Sequence, residues 1–178
     1  MTLRTLLLFP LLLASALGWS MHLRVFGRVS DPVTGQVVPN ALVRVYKYGV
    51  VQHAFRTAPN GSYAVVLDNN ADYVLRFSLP GHVTKCFAVS THGPAWQNDK
   101  RIVDVEVDML LFPRTAGLEL GLFDLPMGIA RFQPMTGLVQ WNGDYDQRVR
   151  PEAERLMAEV LRRHEAHATA MRGTGVGY

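Results

Sequence analysis

Gly27-Arg28-Val29-Ser30-Asp31, then Gly35-Gln36-Val37-Val38-Pro39-Asn40-Ala41-Leu42-Val43-Arg44-Val45, then Thr57-Ala58-Pro59-Asn60-Gly61-Ser62-Tyr63 set short alternating segments between turn residues. Ala41, Val43 and Val45 fall at every second position, with Leu42, Arg44 and Tyr46 on the opposite face, which is the period of a half-buried strand. Tyr63, Val65 and Leu67 repeat it. Asn60-Gly61 supplies the positive φ angles of a tight turn, so a hairpin joining Val51–Thr57 to Ser62–Leu67 is expected. Tyr73, Leu75 and Phe77 alternate up to Pro80-Gly81, and His82 to Ser90 reads as the returning strand.

In Val103-Asp104-Val105-Glu106-Val107-Asp108-Met109 three acidic residues face away from four apolar ones, so one face is core and the other solvent. Counting from Met21, about seven strands follow at regular spacing with turn signals between them, the pattern of an antiparallel sandwich or barrel. After the first twenty residues no helical period occurs before Asp144, which argues against alternating βαβ units.

The segments Gly27–Asp31, Gly35–Val45, Thr57–Tyr63, Tyr73–Phe77 and Pro80-Gly81 resemble the carboxypeptidase regulatory-like domain. That resemblance implies an all-β, seven-stranded antiparallel sandwich of transthyretin or immunoglobulin type that accompanies enzymes and receptors and carries no active site of its own.

The first residues have another design. Arg4, the apolar run Leu6 to Leu13 broken by Pro10, and Ala14-Ser15-Ala16 form the positive, apolar and small-residue regions of a secretory signal. Cleavage is expected after Ala16, with Gly18 or Ser20 as alternatives. The run is shorter than the roughly 20 residues that span a bilayer, so no transmembrane anchor is expected in the mature chain. Localisation is then periplasmic, extracellular or cell-surface. Cys86 is the only cysteine, so the chain can form no internal disulfide and must be held by packing. A thiol in the Val83–Val89 strand reads as a small buried hydrophobe.

The formal net charge is +3, and loss of the first twenty residues removes only Arg4 and leaves +2. The arginines are scattered instead of clustered, which excludes nucleic acid as an expected partner.

Beyond the sandwich, Gly128 to Phe132 and Gly137 to Trp141 flank Pro134-Met135-Thr136-Gly137 and read as a hairpin. Pro126-Met-Gly-Ile-Ala-Arg-Phe132, with Pro134, Thr136 and Gly137, resembles the C-terminal part of Bacteroidota envelope proteins in which a transthyretin-like domain precedes such a hairpin. The departure is at Ala130-Arg131, where that pattern has a lysine on each side of an isoleucine. From Pro151, Ala153, Leu156, Met157, Val160 and Leu161 keep helical spacing, with Pro151 expected in the first turn. The chain therefore divides into a signal peptide over 1–20, a sandwich over 21–112, an extended segment and hairpin over 113–143, an amphipathic helix over 144–172 and a disordered tail over 173–178.

Chemical motifs fail on spacing. No G-x-S-x-G is present. His164-Glu165-Ala166-His167 places its histidines three apart, where a zincin needs four and a third ligand. Asn142 to Ala153 lacks the glycine and bidentate glutamate of a calcium loop, and Asp68 to Asp72 reads as a polar turn. No catalytic residue, metal or cofactor is implied. What remains is aromatic: Tyr46 and Tyr48, read as sharing a face, and Trp96 in the loop before the last strand are the candidate contacts for a protein or glycan. The expected function is a non-catalytic, exported structural or interaction module of a cell envelope, its partner an envelope protein or a glycan. Carbohydrate binding through those aromatics is the alternative.

Overall fold

The structure, a computed structural model, describes residues 22–94 and 101–173, the last two by backbone alone. The signal segment and residues 174–178 lie outside the described residues. Among the described residues ten strands form two sheets. They are β1 His22–Ser30, β2 Leu42–Lys47, β3 Val50–Arg56, β4 Ser62–Leu67, β5 Asp72–Ser78, β6 Lys85–Ser90, β7 Ile102–Glu106, β8 Met109–Leu110, β9 Pro126–Gln133 and β10 Leu138–Trp141. The first sheet runs β4-β1-β7, with β8 on β1 beyond β7, and the second runs β10-β9-β6-β5-β2-β3.

The expected seven-stranded antiparallel sandwich is corrected here to two mixed sheets. Both β7 and β8 run parallel to β1, and β9 runs parallel to β6. Alternation reports which face a residue occupies and carries no information about the direction of the neighbouring strand. The face assignment itself stands: Val103, Val105 and Val107 pack against the core, Met109 is buried, and Asp104, Glu106 and Asp108 are exposed.

A second correction concerns Asn60-Gly61. It joins strands of different sheets, because β3 pairs with β2 while β4 pairs with β1. Gly61 has φ 74°, and its N–H bonds the Ala58 carbonyl at 2.8 Å while Asn60 Oδ1 accepts from Ser62 N. The turn thus passes the chain from one layer to the other. The tight hairpin is β2–β3, closed by Tyr48 and Gly49, both with positive φ (49° and 79°), as a two-residue primed turn requires.

The main core lies between the sheets. Leu23, Val25 and Val29 from the first meet Val43, Leu75 and Phe77 from the second. Two threonine hydroxyls pin chain crossings inside it. Thr57 donates to Val38 O and accepts from Ala41 N, and Thr91 donates to Asp68 O and accepts from Ala71 N. At Gly27 a Cβ would lie 2.2 Å from Val107 O, so only glycine lets the chain between β7 and β8 close on β1.

The helix α1, Gly143–Gly173, begins eight residues before Pro151 and so carries that proline in its interior. Asn142 caps it, with Oδ1 accepting from Tyr145 N at 3.0 Å. The cap oxygen outweighs the proline as a start signal. Leu156 and Val160 are buried against Val83, Phe112, Leu120 and Phe123 in a second cluster, so the apolar stripe packs on its own chain. Phe123 belongs to a short 3-10 helix, Gly121–Asp124, that sequence periodicity did not announce.

Candidate binding cleft at the open side of the two sheets

β6 is buried at three consecutive residues, Lys85, Cys86 and Phe87. A half-buried strand would alternate; here both faces are covered. Lys85 stands opposite Phe77 and Phe87 opposite Leu75, which places both on the core face. Cys86 takes the other face, where its Sγ–H points to Asp124 O at 3.7 Å and burial pushes the thiol pKa up. A raised thiol is a poor nucleophile.

Lys85 is only 6% exposed. Its Nζ lies 4.7 Å from the Phe112 ring centre and 4.6 Å from that of Phe123, at the seam between the two apolar clusters. Among the described residues no carboxylate lies within ion-pairing range of it. Desolvation lowers its pKa to about 8.

Beside Lys85 the sheets part to leave a cleft of about 450 Å³. One wall is residues 107–110 of the first sheet, the other is formed by Phe87, β9 and Trp141 of the second, and Asp146 and Arg150 of α1 stand at its edge. Trp141 opposes Ala130 on β10–β9, and its ring lies against Gly128, where a Cβ would meet it at 2.9 Å. The ring also meets Phe87 edge-on at 6.3 Å, yet Trp141 remains 43% exposed. On its other side is a more polar cleft lined by Arg131, Gln140, Asn142 and Asp144. Neither Lys85 nor Trp141 was singled out by the sequence. Their signal is tertiary: a lysine in an apolar strand and a tryptophan in a short hairpin become distinctive only once their neighbours are known.

The aromatic candidates are placed differently. Tyr46 is half-buried on β2 between Val51 and Val74. Tyr48 sits in the β2–β3 turn, off the strand, so the two do not continue one alternating face. Its hydroxyl donates to Asn70 O at 2.5 Å and lies 3.4 Å from His92 Nε2, which is itself 3.4 Å from Asp72 Oδ2. Trp96 lies outside the described residues. His164 contacts Thr115, and no group of three potential metal ligands occurs among the described residues.

Residues 24–98 match the family model of the carboxypeptidase regulatory-like domain. The chain carries a carboxypeptidase regulatory-like domain, built on β1 to β6. No curated protein matches the chain. Solved structures similar to it include the Bacillus anthracis TIE protein, at 14% identity and TM-score 0.39, covering 52% of this chain and 18% of that one. Another is 3-chlorocatechol 1,2-dioxygenase from Rhodococcus opacus, at 10% identity and TM-score 0.38, covering 55% of this chain and 61% of that one. A third is the C-terminal domain of the shaft pilin SpaA from Lactobacillus rhamnosus, at 11% identity and TM-score 0.37, covering 53% and 99%. The chain thus spans less than two thirds of the first two, and likenesses this distant carry no function across. No described helix is long and apolar enough to cross a membrane.

Proposed function

We propose that the chain is a non-catalytic, exported module of a cell envelope, which works by presenting the edge of its six-stranded sheet to a partner. The observation that carries this is β10: among the described residues it closes the sheet on one side with no further strand, and Leu138 on it is 64% exposed. An unpaired edge with apolar side chains accepts an extended segment as an added strand. The opposite edge, β3, is less suited, because the ladder slips at Val45/Tyr46 and a bulge twists an edge away from such pairing. The regulatory-like domain, the signal-like leader and the resemblance of residues 126–137 to Bacteroidota envelope proteins support the same reading. Crosslinking in the native host tests it. Leu138→Lys should keep the melting temperature and lose crosslinked envelope proteins; an unchanged crosslinking pattern overturns it.

Glycan binding is a second reading, favoured by Trp141. A ring backed by Gly128 and bordered by Gln140, Asn142, Asp144 and Arg131 offers a stacking platform with polar groups at its rim. In this reading Trp141 joins Tyr46, Tyr48 and Trp96 as a contact. Retention of the full chain on immobilised polysaccharides, lost in Trp141→Ala, is the expected result.

A further inference from the structure

Charges buried in a protein are paired, solvated or used. Lys85 has no carboxylate partner among the described residues, is buried by 94% of its surface, and stands on the wall of a cleft open to solvent. The two aromatic rings at 4.7 and 4.6 Å attract its ammonium but carry no counter-charge. Arg150 is paired with Asp146 one turn earlier in α1, and Asp108 accepts the Arg28 backbone N–H at 2.8 Å. Lys85 is therefore left without a counter-charge at the seam of the fold, while Asp108, whose charge a neutral amide does not compensate, is exposed to solvent on the wall formed by residues 107–110.

The rest of the cleft is chiefly apolar. Met109 and Leu110 face Phe87, Met127 and Trp141 across a space of about 450 Å³, a volume within the range of small-molecule sites. Methionines and an exposed tryptophan suit a ligand body without polar groups, since their side chains adapt to its shape and offer no fixed hydrogen-bond pattern. Charge complementarity then names the head group.

We propose that this cleft binds a small amphipathic carboxylate, its carboxylate on the Lys85 ammonium and its apolar body against Trp141 and the two methionines. The assignment does not depend on the edge-strand reading of β10. A carboxylate here would replace lost water around the ammonium with a charge-assisted hydrogen bond, and it would leave no buried polar group unmatched.

Decanoate and decanol, equal in chain length and different in charge, are the probes, titrated into the full chain by isothermal calorimetry. Decanoate should bind about tenfold or more tightly than decanol, the ratio expected of a charge-assisted contact. Lys85→Met keeps an unbranched side chain, one atom shorter, and removes its charge, and should abolish that preference while decanol binding persists. Leu110→Trp leaves Lys85 intact and narrows the mouth of the cleft, and should weaken both probes. Equal affinity for the two probes in the natural chain, no binding of decanoate, a preference surviving in Lys85→Met, or affinities unmoved by Leu110→Trp each overturn the proposal.

Discussion

Lys85 costs the fold something, and the cost has a pH signature. Its pKa falls from the ordinary 10.5 to about 8 because burial disfavours the ammonium. Between those values the unfolded chain holds more protons than the folded one, so stability should rise with pH from about 8 to about 10.5. Below pH 8 the whole penalty is present, on the order of 3 kcal/mol, offset in part by the two phenylalanine rings. Lys85→Met should therefore raise the urea midpoint at pH 7 and flatten the rise above pH 8. A variant less stable than the natural chain at pH 7, with the rise intact, would show the ammonium to be solvated or paired. The sequence contained this lysine in a strand but could not show that both faces of β6 are covered. Burial of three successive residues needs the first sheet, the 3-10 helix and α1 in place.

Among the elements, β7 shows what alternation can and cannot reveal. The Val103–Met109 pattern identified the inward residues, and the cross-strand partners Leu23–Val103 and Val25–Val105 place them opposite core residues of β1. Val105→Asp should cost about 2 kcal/mol or more by setting a charge against that core. Asp104→Asn removes one partner of an exposed pair, Arg24–Asp104 at 2.5 Å, and should leave the melting temperature nearly unchanged. Equal thermal shifts in the two variants would refute the register. The direction of β7 was not legible, nor was the partner of β4. Pairing is chosen by the whole layer, and Asn60-Gly61 reports a sharp turn without stating which strands it connects. The helix bounds of 144–172 lie within a residue of α1, but Pro151 falls in its interior and not in its first turn, because the Asn142 cap starts the helix ahead of the proline.

For the whole molecule, the question is whether the C-terminal helix belongs to the sandwich. Leu156 and Val160 are buried against Phe112, Phe123 and Val83, so removal of residues 144–178 exposes both sides of that contact. The melting temperature should fall on the order of 10 °C, from a few kcal/mol of lost apolar burial. Melting identical to that of the full chain would mean that the helix rides on the surface without stabilising it. By itself the sequence determined that the chain is mostly β, that residues near 24–98 form a regulatory-like domain, and which faces of its strands turn inward. Those properties are local, written in a two-residue period and in turn residues whose φ angles only a few side chains tolerate. Tertiary structure alone decided the parallel partners of β1 and β6, the sheet switch at Gly61 and the cleft beside Lys85. Each of these brings together residues far apart in the chain, and which distant segments meet is settled by the shared burial of their apolar faces, which no single segment encodes.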